Sequence, residues 1–148
     1  YYTRQFVSTK LAGLHNEKRG VPHTEMGWEL YPQGLYEILD RVNREYQPRQ
    51  LMVTENGASY SDGPDENGRV RDQRRIDYLQ THIHQVLNAI QVGIPVTGYL
   101  VWSLMDNFEW ARGYSQRFGI IHVDYKTQKR IIKDSAYWFG DYIKSVSR

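Results

Sequence analysis

Two short apolar runs bracket an amphipathic helix, and that alternation constrains the fold of this chain more than any other feature. The runs are Gln50-Leu51-Met52-Val53-Thr54 and Thr97-Gly98-Tyr99-Leu100-Val101-Trp102-Ser103. Neither alternates apolar with polar, as a strand with one wet face would, so each reads as a strand buried on both faces. Between them Ile76, Leu79, Ile83, Val86, Leu87 and Ile90 recur at helical spacing, with Asp72 as the N-cap and Gly93 and Pro95 as the stop. An earlier helix starts with Pro32 as its first residue and runs to about Tyr46 on the stripe Leu35, Ile38, Leu39 and Val42. A later one starts near Asp134-Ser135 and buries Ala136, Phe139, Tyr142, Ile143 and Val146. The Gly- and Pro-containing stretch within residues 58–71 is loop, and Gly119-Ile120-Ile121-His122-Val123 forms a short extension. Strands alternating with helices predict an α/β fold with a parallel sheet and right-handed crossovers.

In such folds function sits just beyond the carboxyl ends of the strands. Glu55 and the segment after Ser103 both fall there. For Glu55 two readings stand: a strand-end carboxylate held by loop amides, or one that faces a pocket. The second run closes with Trp102 and Ser103 and leads into Asp106-Asn107-Phe108-Glu109-Trp110. Two Trp, two acids and an Asn beside a strand-end Glu have the makeup of a sugar site. Indole faces stack on the C–H face of a pyranose, while carboxylates and amides exchange hydrogen bonds with its hydroxyls. Packing of Trp102 in a core is the competing reading. The aromatic content, 14% with 12 Tyr and 4 Trp, fits either an amphipathic ligand surface or a Tyr-rich core.

Other classes are disfavoured. A net charge of +2 is too weak for a nucleic-acid footprint, and the basic cluster Arg69 to Arg75, interrupted by Asp72 and followed by Asp77, reads as a solvated loop and helix start. The absence of Cys rules out disulfides, a thiol nucleophile and Cys-ligated zinc, and fits a cytoplasmic, reducing location. No apolar run approaches the roughly 20 residues of a membrane span. His82 and His84, two apart on a helix, point about 200° apart around it and do not converge on one ion. His15, His23 and His122 show no ligand spacing, so neither metal nor cofactor is expected.

Thr54-Glu55-Asn56-Gly57 and the run from Gly98 through Trp102, Glu109, Trp110 and Phe118 to Gly119 resemble the C-terminal signatures of the glycoside hydrolase family 1 β-glucosidases. Tyr1-Tyr2, Gly27-Trp28-Glu29-Leu30-Tyr31-Pro32 and Val123-Asp124-Tyr125 extend the likeness over nearly the whole chain. The joint order and spacing make it specific, where the tetrapeptide alone is weak. The resemblance implies the C-terminal part of a (β/α)8 TIM barrel, with residues 1–148 covering the end of strand six through helix eight of one catalytic domain. It implies Glu55 as nucleophile, Tyr2 as the hydroxyl that bonds it, and Glu109 and Trp110 as binders of the outer sugar hydroxyls. Trp102 is similar to the stacking platform, Phe118 to part of the glycone wall and Trp28 to part of the aglycone entrance. Arg112 and Gln116 depart from the commoner acidic and basic residues of those loop positions, which touches no catalytic group.

Implied as well is a retaining reaction on a β-glucoside or cello-oligosaccharide, with Glu109 repelling a 6-phosphate and so favouring unphosphorylated substrates. The acid/base Glu of the family lies in an Asn-Glu-Pro segment that this sequence lacks. A complete barrel needs about 250 residues. The first residues, Tyr1-Tyr2-Thr3-Arg4, carry no initiator Met and no signal-peptide pattern, as in a chain that begins partway through a domain. The expected partner is therefore the remaining N-terminal part of the barrel, and the chain alone is expected to be inactive. The competing expectation is a non-catalytic carbohydrate-binding or self-associating half-barrel.

Overall fold

The computed structural model describes residues 20–146. In chain order the elements are helix α1 (Gln33–Tyr46), strand β1 (Leu51–Asn56), helix α2 (Gln73–Gln91), strand β2 (Val96–Val101), strands β3 (Ile121–Val123) and β4 (Arg130–Ile132), and helix α3 (Asp134–Val146). β1 and β2 pair in parallel, with Leu51 opposite Val96 and Asn56 opposite Val101, and α2 is the crossover between them. The predicted extension at Gly119–Val123 becomes β3, one half of an antiparallel pair with β4. β4 is only three residues long, too short to show a period in the sequence.

The helices cover one face of the parallel pair. Leu39 of α1, Val53 of β1, Val86 and Ala89 of α2, and Ile94 and Val96 form one buried cluster. Tyr78, Leu79 and Ile83 of α2 form a second with Ala58 and Tyr60, against which Trp138, Phe139 and Tyr142 of α3 pack. The expectation that both strands are buried on both faces is corrected: Met52 is 54% exposed and Leu100 52%. Successive side chains on a strand point to opposite faces, and among the described residues no helix covers the second one.

Further expectations change, and on α1 Ile38 of the apolar stripe is 50% exposed. On α2 the buried stripe is Arg75, Tyr78, Leu79, His82, Ile83, Val86 and Ala89, while Leu87 and Ile90 are exposed. Tyr78 and His82, stacked at 3.8 Å between ring centroids, take the inward positions that hydrophobicity alone assigns to aliphatics. On α3, Ile143 and Val146 are exposed, and the aromatic Trp138 joins Phe139 and Tyr142 on the packed side. Pro32 occupies the N-cap position of α1, one residue before the helix proper.

Asp72 also departs from its expected role. It sits at the N-cap of α2, but its carboxylate makes no cap bond there. Its Oδ1 accepts the amide of Ser135 at 2.8 Å and its Oδ2 the hydroxyl of Ser135 at 2.6 Å, so it satisfies the first turn of α3 instead. Oδ2 also receives Arg75 Nε at 2.8 Å. Asp72 and Arg75 are 0% and 1% exposed, so the solvated reading of the basic cluster is wrong for these two residues. A buried charge persists only when paired and hydrogen-bonded, and each supplies the other's partner.

Candidate active site

Parallel pairing brings the carboxyl ends of β1 and β2 to the same rim. β1 carries Glu55 as its penultimate residue, and β2 is followed directly by Trp102 and Ser103, joined by a cis peptide bond. The Trp102 amide donates to the Asn56 carbonyl at 2.9 Å, extending the ladder past β2. Asn56 is buried; its side-chain oxygen accepts the Tyr99 hydroxyl at 2.7 Å and its Nδ2 donates to the Tyr78 hydroxyl at 3.2 Å. Burial pushes the Tyr99 phenol far above its usual range, so it stays a neutral donor. The backbone that carries Glu55 is thus tied to both β2 and α2.

Gly57 follows, where the two segments approach closely. A Cβ there would overlap the Trp102 carbonyl, a backbone group with little room to retreat. Gly57→Ala is therefore expected to displace the Trp102 peptide and destabilise the fold by about 1–3 kcal/mol, the range for forced overpacking. Thermal unfolding monitored by circular dichroism checks this, and an unchanged midpoint would contradict it.

Glu109 lies in the loop after β2. The loop closes on itself there: the Glu109 amide donates to Gly113 O at 2.7 Å and the Arg112 amide to Glu109 O at 2.8 Å. Burial, together with the negative charge of Glu55, raises the Glu109 carboxyl above the ordinary range, while a hydrogen bond with the Trp102 side chain pulls it down. Glu55, Trp102 and Glu109 consequently form one electrostatic group at the strand ends. Trp110, next in the chain, is 82% exposed at a positive φ of 40°.

A second pair consists of Trp28 and Phe118, with ring centroids 6.0 Å apart. Trp28 rides on a tight reversal closed by Thr24 N to Trp28 O and Leu30 N to Pro22 O, both 2.8 Å. The Glu25 amide binds Ser59 O at 3.2 Å, which attaches this reversal to the loop after β1. Phe118 is buried. Of the predicted site residues, then, Glu55, Trp102 and Glu109 come together, Trp28 and Phe118 meet each other, and Trp110 projects outward. Tyr2 lies outside the described residues.

Asp106, one of the two acids that give the loop after Ser103 the makeup of a sugar site, is instead buried in an ionic group with Arg117 and Lys133. Asp106, 0% exposed at its side chain, receives Arg117 at 2.7 Å on Oδ2, and Lys133 Nζ at 2.9 Å and the Gly119 amide at 3.0 Å on Oδ1. Lys133 is also fully buried, and desolvation with the nearby Arg75 charge holds it down at about 8, against the opposing pull of Asp106. Gly119 is needed where it stands, because a Cβ would run into the backbone of Met105 and Asp106. The available signal was the placement of charged residues directly beside apolar runs, Asp106 after Leu104-Met105 and Lys133 after Ile131-Ile132. Gln116 accepts the Ser59 hydroxyl at 2.7 Å, while Arg112 is exposed. Among the described residues no three His, Asp or Glu are grouped to hold a metal ion, and no helix is long and apolar enough to cross a membrane.

In α/β-barrel enzymes the active site lies at the carboxyl ends of the parallel strands, where this acidic and aromatic cluster sits. The sequence pattern of glycosyl hydrolase family 1 matches residues 2–147. A 1,4-beta-D-glucan glucohydrolase of Thermotoga neapolitana is 59% identical over 128 residues, 86% of this chain and 29% of that protein. Beta-glucosidase A of Thermotoga maritima is 58% identical with the same coverage. The solved beta-glucosidase from Thermotoga maritima in complex with cyclophellitol superposes with a TM-score of 0.85 at 58% identity, over 86% of this chain and 29% of that one. The chain belongs to glycosyl hydrolase family 1, and its fold is part of a (β/α)8 barrel. It spans under a third of the length of these relatives, 29%.

Proposed function

We propose that the chain is the C-terminal segment of a single TIM-barrel catalytic domain, from the end of strand six through helix eight. The enzyme it belongs to is a retaining β-glycosidase acting on terminal, unphosphorylated β-D-glucosides, including cello-oligosaccharides. The observation that carries this reading is the placement of Glu55 and Trp102 at the carboxyl ends of two paired parallel strands, with the Trp102 side chain hydrogen-bonded to Glu109.

Glu55 attacks the anomeric carbon while a second carboxyl group, about 5–5.5 Å away in the rest of the barrel, protonates the departing oxygen. The glycosidic C–O bond breaks, the aglycone leaves as an alcohol, and the sugar is held on Glu55 as an ester. The second group then deprotonates water, which attacks the same carbon and releases the sugar with its configuration retained. Tyr2 bonds and orients Glu55. Trp102 supports the ring from below, Glu109 and Trp110 hold the outer hydroxyls, Phe118 closes the glycone side, and Trp28 faces the aglycone. The remote contacts supply binding energy used to orient and distort the sugar. Glu109, where anionic, repels a phosphate on the 6-position, which sets the preference for unphosphorylated sugars. A chain with no Cys suits a reducing compartment, and we place the enzyme in the cytoplasm.

Because the acid/base group belongs to another segment, the 148-residue chain alone is expected to show no turnover of a chromogenic aryl β-glucoside. Turnover is expected when the complementary part of the barrel is supplied. Release of the chromophore by the chain alone would overturn this division of the catalytic pair.

A further inference from the structure

The side chain of Arg75 reaches from α2 into the space between the loops that follow β1 and β2, and every one of its donors is used there. Nε donates to Asp72 Oδ2 at 2.8 Å. One terminal nitrogen donates to the carbonyls of Ala58 and, at 3.2 Å, Phe118. The other donates to the carbonyls of Tyr60 at 3.1 Å and Arg117 at 3.0 Å. Five N–H bonds to five acceptors is the full capacity of a guanidinium. Four of those acceptors are backbone carbonyls, two on each loop. Ala58 lies three residues beyond Glu55, and Phe118 five beyond the Gly113 that closes the Glu109 turn.

Other contacts converge on the same seam. The Tyr60 amide donates to Arg117 O at 3.1 Å, and the Ser103 amide to Phe118 O at 3.3 Å. Ser59 Oγ donates to Gln116 and accepts the Arg117 amide at 3.1 Å. Phe118 O thus accepts from both the guanidinium and the amide of Ser103, two residues beyond β2. Arg75 is a planar fork of fixed geometry, so it sets the spacing of the four carbonyls it joins.

We propose that Arg75 is a positioning residue for catalysis: its guanidinium sets the separation between Glu55, on one loop's strand, and the Trp102–Glu109 group on the other. This rests on the reading of Glu55 as nucleophile. A small misplacement of reacting groups costs far more in the chemical step than in ground-state binding. Lysine has three donors on a flexible stem and cannot span four carbonyls in two directions.

The test is made in the complete enzyme with Arg75→Lys and, as a milder change to the same seam, Ser59→Ala. Steady-state kinetics on an aryl β-glucoside are measured well below the unfolding midpoint, with active sites counted by burst amplitude. The expected result per active site is a kcat lower by roughly 100-fold for Arg75→Lys and several-fold for Ser59→Ala, with KM changed less than threefold. Wild-type kcat per active site in a folded variant, whatever its thermal midpoint, would reduce Arg75 to a fold-stabilising role. If Arg75→Lys does not fold, Ser59→Ala decides: unchanged kcat overturns the proposal, and a selective kcat loss supports it. Loss of activity in Glu55→Ala alongside normal Arg75→Lys kinetics would reject the clamp and leave the nucleophile in place, whereas an active Glu55→Ala would reject the nucleophile itself.

Discussion

Glu55→Ala in the complete enzyme is expected to lower kcat for aryl β-glucosides by on the order of 10,000-fold or more, as removal of a catalytic nucleophile does. The change removes a carboxylate from the rim without touching the backbone bonds that hold it, since Asn56 and Gly57 carry those contacts. Binding of glucose-like ligands is expected to persist, because the residues proposed to stack on the ring and bind its hydroxyls are unchanged. Azide or formate is small enough to enter the space left by the carboxylate and attack the anomeric carbon. With one displacement in place of two, the product is the α-configured glycosyl azide, and its appearance with a saturable dependence on azide is the expected signature. Full activity of the variant would remove Glu55 from the mechanism.

The second large effect concerns stability. Asp106→Ala leaves Lys133 fully buried without its counter-charge and orphans the Gly119 amide, at an expected cost of about 3–5 kcal/mol. In the complete barrel, of about 250 residues or more, that lowers the thermal midpoint on the order of 10 °C. The double variant Asp106→Ala/Lys133→Met should recover part of the loss, because no charge is then stranded. The sign of the pH dependence follows from Lys133. Its folded value of about 8 lies below its unfolded value of about 10.4, so the unfolded chain binds more protons in that window. This group's burial penalty is greatest below pH 8 and is relieved as pH rises towards 10.4. Asp106 raises Lys133, so its removal extends the window to lower pH. Equal stability of Asp106→Ala and wild type across that range would contradict the account.

Much of this architecture was legible in the chain itself. The two apolar runs became a parallel pair, the helical stripes became α1, α2 and α3, and Glu55 fell at the end of its strand, as the spacing predicted. Faces were read less well than elements. Leu87, Ile90, Ile143 and Val146 have the hydrophobicity of core residues but are exposed, while Tyr78, His82 and Trp138 turn inward through ring packing. The periodicity of apolar residues cannot register Arg75, Asp72 or Lys133 as interior, because each also needs partners far along the chain. Asp72 reaches Ser135 and Arg75 reaches Phe118, contacts no local pattern encodes. At the site, the types and order of residues pointed to sugar chemistry. Bringing Glu55 to the same rim as Trp102 and its bonded Glu109 requires the two strand ends side by side.

The central claim, that Glu55 carries the sugar, is tested most directly by trapping the intermediate in the complete enzyme. A 2-deoxy-2-fluoro-β-glucoside with a dinitrophenolate leaving group slows both steps but keeps formation faster than hydrolysis, so the ester accumulates. Proteolysis and mass spectrometry of the inactivated enzyme are predicted to find one fluoroglucosyl unit on the peptide containing Thr54-Glu55-Asn56-Gly57, with fragmentation placing it on Glu55. A label on any other residue, or one fully formed in Glu55→Ala, would contradict the account.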